Sequence, residues 1–115
     1  MNKEELKART KKYALRIIKL VEALPKTTTG RTIGNQLIRS GTSIGANYRA
    51  ALRARSKLEF IAKLGIVIEE ADESAFWLEI IIENKLFKKE LVGSLLQETN
   101  ELVAIFVTTR KSSKS

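Results

Sequence analysis

The segment from Phe60 to Ile81 constrains the fold more than any other part of this chain. Phe60, Leu64, Val67, Ala71, Ser74, Leu78 and Ile81 follow one another at alternating spacings of 4 and 3 residues. That period lays all of them along one face of an α-helix and fits no β-strand, whose faces repeat every second residue. The start of this helix is marked as clearly. Ser56-Lys57-Leu58-Glu59 has the form of a capping box, in which the Ser56 hydroxyl accepts from an early free amide and Glu59 reaches back to the cap amide.

The same rhythm appears three more times. A first helix is predicted from Glu4 to Leu24, where Leu6, Tyr13, Ile17, Leu20 and Leu24 keep a heptad register and Ala14, Ile18 and Val21 widen the stripe. Pro25 stops it, and the Lys-Thr-Thr-Thr-Gly stretch that follows reads as a loop. A second helix is predicted from Thr32 to about Arg55, with Ile33, Leu37, Ser40, Ile44, Asn47 and Ala51 on its seam. Gly34, Gly41 and Gly45 weaken that helix by roughly 1 kcal/mol each. Gly41 and Gly45 lie one turn apart, beside Ala46 and Ala50, where they would let a neighbouring backbone approach. A break at Gly41 with a restart at Thr42 or Ser43 is the competing reading; the unshifted heptad rhythm favours one continuous helix. A fourth helix is expected from Lys88 to Arg110, burying Leu91, Leu95, Leu102 and Phe106, with residues 111–115 as a disordered polar tail.

Four such segments joined by short loops predict an all-α fold, an antiparallel up-and-down four-helix bundle formed as a single domain by residues 1–110. Ile80, Ile81 and Ile82 point in three directions, and Phe76 and Trp77 flank the seam of the third helix. An apolar surface wider than one stripe seeks a partner, so Phe76, Trp77 and Ile80 are the candidate contacts of a homo-oligomer.

Composition removes whole classes of chemistry. The 115 residues include no cysteine and no histidine, which excludes disulfides, thiolate metal sites and every nucleophile pair built on imidazole. No cofactor and no enzymatic activity are expected. Residues 1–12 are too charged for an apolar signal region, and no apolar stretch reaches the roughly 20 residues of a membrane span. The expectation is a cytoplasmic protein with no membrane partner.

Charge is distributed unevenly. Residues 1–58 hold 14 Lys/Arg against 3 Asp/Glu, and residues 59–115 hold 7 against 10, so a half with net +11 precedes a half with net −3. Arg9, Lys12, Arg16 and Lys19 share one face of the first helix, and Arg49, Arg53, Arg55 and Lys57 cluster at the end of the second. Aligned cations of this kind neutralise phosphates, and these eight residues are the candidate nucleic-acid-binding set. The alternative is a solvated face that pairs with acids of the third helix, Glu69 and Glu73 among them. With no aromatic ladder and no glycine-rich phosphate loop, base-specific readout is not expected.

Two further groups read as structural. Glu69, Glu70, Asp72 and Glu73 contain a Glu-x-x-Asp spacing, but no second acidic pair exists on a neighbouring helix to complete a Mg²⁺ site, and no metal is expected. Ser40 and Asn47 are polar residues on an apolar seam, where such groups fix helix register more often than they do chemistry. Trp77 is read as a core or subunit contact rather than a stacking platform.

Two stretches carry a family resemblance. Gln36-Leu37-Ile38-Arg39-Ser40 with Ser43-Ile44-Gly45-Ala46-Asn47, and Arg55-Ser56-Lys57-Leu58-Glu59-Phe60 with Leu64-Gly65-Ile66, resemble the four-helix bundle proteins named for intervening sequences in 23S rRNA genes. That family is related to the accessory protein of diversity-generating retroelements. The resemblance is specific over residues 32–83. It implies a ring-shaped homopentamer without enzymatic activity and, as in the retroelement relatives, a basic surface that contacts a reverse transcriptase and its RNA. Where the family commonly continues with Ile-Ala-Glu-Gly after the asparagine, this chain has Tyr48-Arg49-Ala50-Ala51, which removes an acid and adds a cation. Two functions follow as expectations: an oligomer that holds RNA or an RNA-handling partner on its basic helices, or an assembly scaffold whose charge serves only solubility and subunit pairing.

Overall fold

The structure, a computed structural model, describes residues 1–114. Four helices follow in order: α1 (Lys3–Ala23), α2 (Thr28–Leu52), α3 (Lys57–Glu83) and α4 (Lys89–Lys114). At about 1.5 Å per residue, helices of 21–27 residues account for the 45 Å long axis of a bundle 21 by 20 Å across. Each helix packs against its sequence neighbours, and α1 closes the bundle on α4. This is the up-and-down arrangement that short connections impose.

Side-chain caps set the helix starts. Asn2 forms the reciprocal capping box with Glu5 that begins α1. Thr27 accepts from the Gly30 amide at 3.1 Å, so the Thr-Thr-Gly stretch read as loop is the first turn of α2, and that helix begins at Thr28 rather than Thr32. Ser56 caps α3 by accepting from the Glu59 amide at 3.1 Å, while the return bond from Glu59 is not formed among the described residues. α2 passes through Gly41 unbroken and ends at Leu52, with Arg53 as its C-cap. α4 continues to Lys114, so residues 111–114 of the expected tail are helical; Ser115 lies outside the described residues.

The core follows the predicted seams with two displacements. On α4 the buried positions are Val92, Leu95, Thr99, Leu102 and Phe106, while Leu91 is 55% exposed. Thr99 completes the 3–4 alternation that starts at Val92, so the seam lies one residue from the predicted Leu91. On α2, Asn47 is only half-buried and bonds its own helix at the Ser43 carbonyl, 2.9 Å away, while Tyr48 enters the core against Phe106 with ring centroids 5.2 Å apart. Asn47 is therefore not part of the polar core.

Ser40 is. Its hydroxyl and that of Ser74 are 2.9 Å apart across the α2–α3 seam, both fully buried. At the α1–α4 seam the Tyr13 hydroxyl lies 2.6 Å from that of Thr99, and Tyr13 also feels the Ser74 hydroxyl. One buried layer of hydroxyls thus draws on all four helices. Burial pushes the Tyr13 phenol up to about 12, which keeps it protonated in the bundle.

The seams differ in width. A methyl group added at Gly41 would stand 2.9 Å from Cγ2 of Ile17, and one at Gly45 would stand 3.1 Å from Oγ1 of Thr10. These glycines let α1 and α2 pack closely. α1 and α4 approach less closely, and the Tyr13 ring fills the space between them.

Two predictions follow. Gly41→Ala gains roughly 1 kcal/mol of helix propensity, but it drives a methyl into the fully buried, stiff Ile17. Thermal unfolding should show a net loss of about 1 kcal/mol, whereas Gly93→Ala, with no atom within 4 Å of the new methyl, should gain up to about 1 kcal/mol. The raised Tyr13 pKa contributes stability that is complete below the unfolded tyrosine value of about 10 and is lost as pH rises through about 12. Denaturant titrations of Tyr13→Phe between these pH values should show a shallower alkaline decline than the wild type.

Candidate nucleic-acid interface

The predicted basic stripe of α1 lies along its α4 side. Arg9 turns to α4, where its Nε and Nη2 each donate to Glu98 at 2.7 Å and Nη2 also donates to Glu101 at 2.9 Å. The two-point bond to Arg9 holds the Glu98 carboxyl below the usual carboxylate range and raises the guanidinium in turn. Arg16 donates to the Ser94 hydroxyl at 3.0 Å, and Lys12 is close enough to Glu98 to lower its pKa further. Arg9 therefore fastens α1 to α4 rather than standing free for phosphate. Lys12 and Lys19 remain exposed.

On the other side of α1, Lys7 and Lys11 stand one turn apart and face Arg49 across the α1–α2 seam. These three cations border a cleft of about 270 Å³ whose floor is made by Thr10, Gly45 and Ala46. The small floor residues follow from the close helix packing, because Gly45 sits directly under Thr10. Antiparallel packing brings the start of α1 beside the end of α2, so Arg53 and Arg55 extend the same end of the molecule, both exposed. Among the described residues no carboxylate pairs with Lys11, Arg49 or Arg53; Lys7 has one loose contact to Glu4 at 3.7 Å. Lys57, the last of the predicted set, is exposed at the first turn of α3.

Lys7 and Lys11 were not among the predicted residues. Their signal lies in the seam: the α1 positions one turn before Thr10 and directly after it flank the residue that meets Gly45, and so border the α1–α2 groove. The acids of α3 have a partner that was not predicted either. Arg39 on α2 donates to Glu70 at 3.1 Å and to Glu73. Glu73 also accepts from Trp77 Nε1 at 3.1 Å, and these bonds, Arg39's first, hold its carboxyl below the usual range. Glu70 and Glu73 are thus engaged within one bundle by Arg39, not by the α1 stripe. Trp77 is half-buried, and Phe76 meets its ring edge-on at 5.0 Å while remaining 51% exposed.

A sequence profile of the family described as 23S rRNA-intervening sequence protein matches residues 3–108, the whole of the bundle up to the last turns of α4. The chain belongs to that family. A crystal structure of a protein of unknown function from the S23 ribosomal protein family of Bacteroides thetaiotaomicron superposes with a TM-score of 0.86 at 34% identity, covering 91% of this chain and 97% of that one. No curated protein matches the chain. The fold of this member of the 23S rRNA-intervening sequence protein family is thereby shared with a solved relative over nearly its full length. No helix among the described residues is long and apolar enough to cross a membrane.

The depressed Glu98 pKa predicts the response to acid. Its stabilisation is present above the unfolded glutamate value of about 4.3 and is lost as pH falls through the lower folded value. Glu98→Gln should cost about 1–2 kcal/mol at neutral pH, between an exposed and a buried pair. Its stability should decline less steeply from pH 5 to 3 than that of the wild type, with Glu73 supplying part of the slope that remains.

Proposed function

We propose that this protein is a non-enzymatic, oligomeric bundle of the cytoplasm that binds RNA, or an RNA-handling protein partner, through the basic surface of α1 and α2. The observation that carries this reading is the convergence of Lys7, Lys11 and Arg49 on one cleft, with Arg53 and Arg55 beyond it and no acid in residues 23–58. Cations that have structural partners, Arg9 and Arg39, are spent inside the bundle; those around the cleft are available to phosphate. The shallow floor and the lack of an aromatic platform there suit backbone contact rather than base readout. The half-exposed Phe76 beside Trp77 and Ile80 supports self-association through α3. A ring-shaped homopentamer, and a relation to the accessory proteins of diversity-generating retroelements, extend the family likeness in the same direction.

The exposed Phe76 equally supports a second reading, an assembly scaffold without a nucleic-acid role. Fluorescence anisotropy of a labelled structured RNA at several salt concentrations separates the two. With three phosphate contacts per chain, log K should fall by roughly 2–3 per decade of salt. A variant carrying Glu at Lys7, Lys11 and Arg49 should lose binding with its sedimentation unchanged, while Glu at Lys12 and Lys19 should weaken it less. Absence of binding at low salt would leave the scaffold reading.

A further inference from the structure

A second cleft lies at the end of the bundle where α1 begins and α4 ends. It is an open groove of about 480 Å³ between Leu6, Leu52, Phe60 and Ile105, with Tyr48 in its wall and Lys3 at its edge. This size falls within the roughly 300–1,000 Å³ of small-molecule sites, whose pattern is apolar walls with a few placed polar groups. Tyr48 supplies the unusual feature. The residue is only 3% exposed, yet among the described residues its hydroxyl has no hydrogen-bond partner. Nor is that hydroxyl sealed away, since no side-chain oxygen buried out of solvent contact lacks a partner among the described residues. The phenol oxygen therefore opens on the cleft. The other hydroxyls of the core, on Thr10, Tyr13, Ser40, Ser74 and Thr99, are all satisfied within the protein.

We infer that this cleft binds a small apolar carboxylate, a medium-chain fatty acid or an aryl acid, whose body packs between Leu6, Leu52, Phe60 and Ile105 while its carboxylate accepts from the Tyr48 hydroxyl and faces Lys3. Lys3 at the edge supplies the positive charge that an anion meets, and the Tyr48 phenol supplies the hydrogen-bond donor. Burial raises the Tyr48 pKa, with Glu4 adding to the effect. Lys3 has no carboxylate partner among the described residues. Glu4 is the one acid whose field reaches Tyr48; its side chain is 84% exposed and leans toward Lys7 at 3.7 Å, so it stays in water outside the apolar wall. The walls exclude a phosphodiester chain, whose charge needs continuous solvation or cations along its length. This site is thus separate in place and chemistry from the α1–α2 cleft.

Isothermal titration calorimetry with decanoate below its micelle concentration tests the inference on the full chain. One decanoate per chain should bind, with decanol and decyltrimethylammonium at least tenfold weaker. Tyr48→Phe removes an oxygen that has no internal partner, so it should leave the melting temperature near that of the wild type and weaken decanoate about tenfold. Ala104→Trp fills the cleft from an exposed helix position and should abolish binding with the fold intact by circular dichroism. The inference is overturned by absence of saturable binding, or by binding that both variants leave unchanged. It is also overturned if Ala104→Trp dissociates an oligomer while decanoate never binds, because a second copy would then be the occupant.

Discussion

The buried hydroxyl layer at mid-bundle is the constraint on which the rest of the packing depends. Tyr13, Ser40, Ser74 and Thr99 come one from each helix, and each is at most 1% exposed. Ser40, Ser74 and Thr99 each also bond a carbonyl of their own helix. Sliding a helix by a turn would still break the Ser40–Ser74 or Tyr13–Thr99 bond, and a Tyr13 phenol left buried without a partner would cost about 1–3 kcal/mol. Apolar seams alone do not discriminate in this way: leucine on leucine is nearly as good one heptad along. The layer therefore sets the register of the helices, and the apolar residues above and below it supply the bulk of the driving force.

The asymmetry of the bundle then follows from the residues at that level. On the α1–α2 side, Gly41 and Gly45 remove side chains and the two helices close on Ile17 and Thr10. On the α1–α4 side, the Tyr13 ring must be accommodated, the helices stand further apart, and long side chains span what remains: Arg9 to Glu98 and Glu101, Arg16 to Ser94. The two seams of α1 thus differ in charge. On the α4 side guanidinium groups reach acids of the opposite helix, while on the α2 side Lys11 and Arg49 have no carboxylate partner among the described residues and Lys7 has only its loose contact to Glu4.

This sorting explains what could be read in the sequence and what could not. The α3 seam was legible to the residue, because every position from Leu64 to Ile81 in the 4–3 alternation is buried. The caps at Asn2 and Thr27 were not read: the pattern starts the first helix at Glu4 and reads the threonine run as loop, since such a run offers several equivalent starts. Thr10 and Thr99 were hidden because a seam hydroxyl looks like a surface residue until its partner is known, and Thr99 without its seam role shifted the α4 face to Leu91. Asn47 failed for the opposite reason: the heptad put it inside, but the core at that level is filled by Tyr48 against Phe106. Arg9 could not be separated from the rest of its stripe by pattern, because the carboxylate that claims it lies 89 residues away.

The net charge of the first half accordingly has two origins, which only the packing distinguishes. Arg9 and Arg39 are drawn by acids of the second half, Glu98 and Glu101 for the one, Glu70 and Glu73 for the other. They belong to the balance of the bundle with itself. Subtracting them still leaves the start of α1 and the end of α2 strongly positive, and these meet at one end because the helices are antiparallel. Exposed cations that repel one another gain nothing for the isolated bundle. The RNA-binding surface proposed above is this unpaired remainder, of which Lys7, Lys11 and Arg49 border the α1–α2 cleft.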